Sequence, residues 1–256
     1  MKHVVSYSGG IASWATAVRV LETVEPADVR LVFCDTHMED EDLYRFLDET
    51  VAALGVELTR IEDGRTPWQV FADEKLIGNT QRDVCSRILK RDLFKRWLTE
   101  TYTPDEAVLY LGIDWTESHR GIAAARNYAP YPVAFPLCVA PYRTKDEWMT
   151  ECRAGGIEPP RLYALGMPHN NCGGFCVKAG HAQFIKLLET MPDRYRWHEA
   201  QEDALREAWG KNVAVLRDRR GGRTRPLPLK MLREWHERQQ TLWDHEDWGG
   251  CGCFVE

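Results

Sequence analysis

The stretch Ser6-Tyr7-Ser8-Gly9-Gly10-Ile11-Ala12-Ser13 carries two adjacent glycines and three serine hydroxyls between an apolar run and a segment with helical character. Glycines there let the backbone approach a ligand closely or take positive φ. A helix that follows aims its unpaired N–H groups and positive dipole end back at the turn. The combination is an anion cradle of the kind that holds phosphate. An ordinary strand-to-helix turn also favours Gly and Ser, so local chemistry alone leaves both readings open. The other chemistry-bearing residues are cysteines. Cys172-Gly-Gly-Phe-Cys176 and Cys251-Gly-Cys253 are glycine-flanked pairs, and Cys85 opens a basic stretch. Four thiolates suit zinc or an iron–sulfur cluster, and neither spacing is the Cys-x₂-Cys of a zinc ribbon. Cys34, Cys138 and Cys152 read as small buried hydrophobes.

The elements that must position these groups alternate. Strands are expected at 3–7, 29–34, 56–61 and 107–113, and helices at 13–22, 40–54 and 84–101, the last strongly basic. Short apolar strands separated by helices predict a doubly wound parallel sheet, an α/β fold covered on both faces. In such sheets ligands bind beyond the strand C-terminal ends, where strand order reverses. The glycine turn, Asp35-Thr36 and the stretch 114–120 all follow strand ends and are expected at one edge. As a bland reading, Asp-Thr after a strand is a good helix cap. Residues 1–125 are expected to form this core. Residues 126–256 are expected to form a helical, cysteine-containing C-terminal region. There, 128–142 reads as an extended, proline-bearing connection, and Thr144 with Glu147 as a capping box opening a helix to about Ala154. Further helices are expected at 181–189, 199–209 and 229–244, with a late strand at 213–216.

The 256 residues suffice for a full core, and the net charge of −6 does not mark the whole surface for nucleic acid. A local exception is Arg217-Asp-Arg-Arg-Gly-Gly-Arg-Thr-Arg225, with five arginines in nine residues. It reads either as a solvated loop or as a contact for a phosphate backbone. Five of the ten tryptophans (Trp197, Trp209, Trp235, Trp243, Trp248) fall in the same region. They could stack on bases, although helical tryptophans more often pack in cores. No apolar run approaches a membrane span, and Met1-Lys2 leads into a strand with no room for a signal peptide, so the expectation is a cytoplasmic protein. In a reducing compartment the cysteines point to metal or reactive thiols rather than disulfides.

Ser8-Gly9-Gly10-x-x-Ser13 after a first strand resembles the PP-loop of the adenine nucleotide alpha-hydrolase superfamily. Phe33-Cys34-Asp35-Thr36 is similar to that group's segment beside the nucleotide. Arg82-x-x-Cys85-x-x-x-Leu89-Lys90 looks like the Arg-x-x-Cys-x-x-x-Leu-Lys stretch of phosphoadenosine phosphosulfate (PAPS) reductase-like proteins. Gly112-Ile113-Asp114-Trp115-Thr116-Glu117-Ser118-His119-Arg120 resembles their Gly-x-Arg-x-x-Glu-Ser-x-Arg motif. Leu162-Tyr163-x-x-Gly166, followed by Cys172 and Cys176, resembles their Leu-Tyr-x-x-Gly segment and cysteine pair. The chain departs from the pattern at Ala12, where PP-loop pyrophosphatases carry Asp, and at Asp114, where the motif has Arg.

The resemblance implies ATP and Mg²⁺ at Ser6, Ser8, Gly9, Gly10, Ser13, Asp35, Thr36 and Gly112. It also implies attack on the α-phosphate, the developing charge being met by loop amides and by Arg87, Lys90 and Arg120. Arg87 and Lys90, three apart on a helix, are expected to reach one pocket. The resemblance further favours a [4Fe–4S] cluster over zinc among Cys85, Cys172, Cys176, Cys251 and Cys253. The expected function is adenylylation of a substrate for sulfur transfer, with a nucleic acid or small molecule as acceptor. One alternative is a PAPS or adenosine phosphosulfate reductase, in which Cys251 or Cys253 acts as nucleophile. Another is a non-catalytic nucleic-acid-binding protein with structural zinc.

Overall fold

The computed structural model describes residues 1–238 and 247–250. Strands β1 (Lys2–Ser6), β2 (Val29–Asp35), β3 (Glu57–Glu62), β4 (Ala107–Tyr110) and β5 (Val133–Ala134) form one sheet in the order β3-β2-β1-β4-β5. Every pairing is parallel, with His3 opposite both Val29 and Val108. Alternation along β1 serves two cores. Val5 faces Ile11, Trp14, Phe46 and Trp148, whereas Val4 faces Phe94, Leu98, Leu109 and Tyr128. The first core is covered by α1 (Ile11–Leu21) and α2 (Glu41–Leu54). The chain is thus the doubly wound α/β protein that its strand–helix alternation implies. The order reverses between β1 and β4, which fixes where a crevice opens.

Between β3 and β4 lie α3 (Pro67–Glu74) and a helix we call α4 (residues 84–101). Thr66 and Gln69 form a capping box with Pro67 at the first helical position, so α3, which is not among the expected elements, carries a legible start signal. The middle of α4, Arg87–Asp92, is a π-helical turn. Then come α5 (Gly121–Tyr128) and α6 (Lys145–Ala154), the latter opened by the expected Thr144–Glu147 box. After the short α7 (Arg161–Ala164), α8 (His181–Thr190) and α9 (Pro192–Trp209) follow. Helix α9 starts seven residues before the expected Glu199, with Pro192 at its first position.

The expected late strand lies instead at β6 (Leu216–Asp218), which pairs antiparallel with β7 (Arg225–Leu227), so the arginine-rich stretch is a hairpin. Helix α10 (Leu229–Glu237) ends the described helices. A third core, built on Phe175, Phe184, Tyr195 and Leu229, also takes Trp68, Phe71 and Leu89 from the first half. Among the described residues no helix is long and apolar enough to cross a membrane.

Candidate functional site

Beyond the C-terminal ends of β1 and β4 lies a cavity of about 190 Å³, lined by Ser6, Ser8, Gly10, Gly112 and Arg120 among others. Gly9 takes φ +73°, and a Cβ there would lie 2.8 Å from Leu43 Cγ, so this turn closes only around glycine. Gly10 caps α1, and its carbonyl accepts the Ser13 hydroxyl at 2.8 Å. Gly112 brings the β4 loop against the start of α1: an added Cβ would stand 3.1 Å from the Ala12 carbonyl oxygen. Two buried polar atoms on the cavity wall, Ser6 Oγ and Asn170 Oδ1, have no hydrogen-bond partner among the described residues. In protein interiors such atoms are rare, and a ligand would satisfy both.

The later chain supplies groups the sequence reading missed. Asn170 is buried and donates through Nδ2 to the Gly9 carbonyl at 2.9 Å. The Tyr163 hydroxyl accepts the Ile11 N–H, the first helical amide of α1, at 3.1 Å. Lys145 places Nζ 4.1 Å from the centre of the Tyr163 ring and donates to the Pro168 carbonyl. Loss of water lowers its pKa to about 8. Arg143 also lines the cavity, lies over the Trp148 ring at 4.7 Å and pairs with Glu151. The Leu-Tyr-x-x-Gly segment and the capping box were the available signals. Both mark family and helix start and do not tell what their side chains face.

Of the expected site residues, Ser6, Ser8, Gly10, Ser13, Gly112 and Arg120 line this cavity, and Gly9 shapes its floor. Arg120 donates to Glu117 at 2.6 Å. Asp114, where the motif has Arg, caps the following turn by accepting the Thr116 amide at 2.7 Å. Asp35 and Thr36 are buried at the same sheet edge but bond elsewhere. Asp35 accepts from the His37 amide and the Tyr44 hydroxyl and pairs with Arg60, while Thr36 donates to Glu39.

Arg87 and Lys90 do not share a pocket. Arg87 is exposed and pairs with Asp92 and Glu74, Lys90 is buried against Glu39, and Arg91 pairs with Asp83. The π-helical turn is the physical reason, since i→i+5 bonding changes the angular step that the i,i+3 argument assumed.

Cys85, Cys172 and Cys176 come together at a second cavity of about 20 Å³, walled by Met38, Leu89 and Phe175 with Lys90 and Lys178 at its edge. That volume admits about one water. Cys172, Gly173 and Gly174 all have positive φ, and the Cys172 amide is held by the Glu39 carboxylate. Segment 247–250 pairs beside this loop: Gly250 donates to the Lys178 carbonyl at 3.1 Å, and Ala182 to that of Asp247 at 2.9 Å. Cys251 and Cys253 lie outside the described residues. Among the described residues, no three His, Cys, Asp or Glu side chains converge as a metal-binding group. Burial pushes the Cys152 thiol up to about 11, as an inert core cysteine requires.

A cavity beyond the strand ends at the switch point of a doubly wound sheet is where such folds place their ligands. Residues 2–120 match the profile of the phosphoadenosine phosphosulfate reductase domain. Over that α/β half the chain is similar to the PAPS reductase-like family. A stretch of 116 residues, 44% of the chain, is 29% identical to an uncharacterized protein of Methanocaldococcus jannaschii and spans 23% of that protein. A stretch of 86 residues, 32% of the chain, is 29% identical to a secreted LysM effector of Pochonia chlamydosporia and spans 69% of it. Among solved structures, the phosphate complex of PAPS reductase from Candida auris superimposes with a TM-score of 0.45 at 13% identity, over 65% of this chain and 79% of that one. The NMN synthetase of Francisella tularensis gives 0.47 at 14% identity, over 93% and 84%.

Gly9→Ala is expected to cost about 1–3 kcal/mol, because it combines left-handed strain with a clash against Leu43. Gly55→Ala, at φ +63° with nothing within 4 Å, carries the strain alone and should cost about 1–2 kcal/mol. Urea unfolding of both variants, with adenine-nucleotide binding measured alongside, checks this: only Gly9→Ala should also weaken binding.

Proposed function

We propose that the cavity between β1 and β4 binds ATP with Mg²⁺ and activates a substrate by adenylylation for sulfur transfer. The observation that carries this reading is the pair of buried polar atoms, Ser6 Oγ and Asn170 Oδ1, without a partner among the described residues, on the wall of a cavity floored by the glycine turn. A nucleotide offers both donors and acceptors to such a pair. In this reading the glycine turn and Ser8 hold phosphate oxygens. Arg120, Arg143 and Lys145 meet the negative charge that grows on the α-phosphate as the acceptor attacks and pyrophosphate leaves. The lining carboxylates Asp114 and Glu117 already bond Thr116 and Arg120. A magnesium ion would therefore be held chiefly by the phosphates and water, as that ion often is.

The cysteines are proposed to hold a [4Fe–4S] cluster, with zinc as the alternative. The placement of Cys85, Cys172 and Cys176 at one cavity supports this, while the space there, about one water, and the pairing of Lys90 with Glu39 do not. The described donors do not complete a site, and no step above depends on it. Such a cluster, when bound, would supply electrons or a site for sulfur. The second reading, a PAPS or adenosine phosphosulfate reductase, is favoured by one observation. Ala12 and the engaged Asp114 and Glu117 leave no ready carboxylate for a metal, and the reductase reading does not invoke one.

Pyrophosphate released from ATP, and lost on Ser8→Ala, supports adenylylation. Sulfite from PAPS with no pyrophosphate from ATP supports the reductase instead, and neither product sinks both. Whichever reaction runs, kcat/KM should fall as pH rises through about 8, where Lys145 loses its charge in the free enzyme. Lys145→Arg should remove that limb, and Lys145→Gln should lower kcat/KM by about 10²-fold at neutral pH. Anaerobic metal analysis should find iron with acid-labile sulfide, reduced in Cys172→Ser. Zinc without iron would end the cluster reading.

A further inference from the structure

The arginine-rich hairpin takes no part in the site above, yet it is firmly built. Its inner residues, Leu216 and Leu227, are buried in the third core. Both of its feet are held by one buried carboxylate: Glu202 accepts the Val215 amide at 2.8 Å and the Leu229 amide at 2.6 Å. Arg217 folds back, donating to the Ala214 carbonyl at 2.8 Å. Arg220 is held in place by Asp218 at 2.9 Å and lies 4.5 Å from the centre of the Trp235 ring. Arg219, Arg223 and Arg225 are exposed, and among the described residues no carboxylate pairs with them.

Five arginines against the single Asp218, in a chain of net charge −6, make this a local positive patch on an acidic protein. Like charges crowded on a clamped hairpin repel one another, and a polyanion relieves that repulsion. Arginine forks suit phosphate oxygens in particular.

We propose that the β6–β7 hairpin docks the phosphate backbone of a nucleic acid. Its root lies beside the cysteine loop. The Arg217 carbonyl is 3.0 Å from His181 Nε2, and the next residue, Ala182, donates its amide to the Asp247 carbonyl in segment 247–250. That segment also bonds Lys178, two residues after Cys176. The hairpin root is thus tied by hydrogen bonds to the segment that carries those thiols, and this assigns nucleic acid as the acceptor class. That acceptor role, unlike the docking, rests on the sulfur-transfer reading.

The test is fluorescence anisotropy of labelled single-stranded DNA and RNA oligonucleotides of roughly twenty nucleotides, long enough to span a site, titrated with the full chain at several salt concentrations. Binding should weaken linearly in log–log form with salt. The triple variant Arg219→Gln/Arg223→Gln/Arg225→Gln should lower the slope by about 2, since each lost contact removes about 0.7. Arg223→Gln alone should lower it by about 0.7, and the triple Lys variant should keep it. Absent binding, a slope unchanged in the Gln variants, or binding only to phosphatidylserine vesicles overturns the proposal. Oligonucleotide binding without pyrophosphate release from ATP would uphold the docking and sink the adenylylation reading separately.

Discussion

The Asn170 side chain joins the two halves of the site. Its amide donates to the Gly9 carbonyl, which draws the 163–172 loop across the end of β1. Two residues later, Cys172 is fixed through its own amide by Glu39. A buried hydrogen bond of this kind is worth about 1 kcal/mol net, but an orphaned partner costs about 1–3 kcal/mol. The loop is therefore held to a single path. Because of it, the cavity at the glycine turn and the cysteine cavity share one connecting segment.

The same economy recurs around Glu39. This buried carboxylate meets Thr36, Lys90 and the Cys172 amide together. Burying a charged pair costs desolvation that only good partners repay, and removing one partner leaves an uncompensated charge. The π-helical turn in α4 is what delivers Lys90 to Glu39 while Arg87 stays outside. A local irregularity thus sorts two neighbouring cations into different roles, one toward the cysteine cavity and one toward solvent.

What could be read from the chain was what is local. Apolar runs and glycines disclosed the first crossover and the sheet, and the Thr144–Glu147 box disclosed α6, because strand period, turn chemistry and capping act over a few residues. Lys145, Tyr163 and Asn170 are not legible as cavity residues because their partners are distant: Tyr163 reaches Ile11 over 152 positions and Asn170 reaches Gly9 over 161. Helical arithmetic places Arg87 with Lys90 because it assumes a regular step. Asp35 and Thr36 lie at the expected edge, but their neighbours Arg60, Tyr44 and Glu39 turn them inward. Spacing alone could not name those neighbours.

The central claim is that an adenine nucleotide sits where the glycine turn, the β4 loop and the 163–171 loop meet. Hydrogen exchange followed by mass spectrometry, with and without ATP, tests it directly. The account predicts slowed exchange in peptides spanning 8–14, 111–120 and 163–171 together, since one ligand would bridge all three. Slowing confined to other segments, with those three unchanged at saturating ATP, would contradict it.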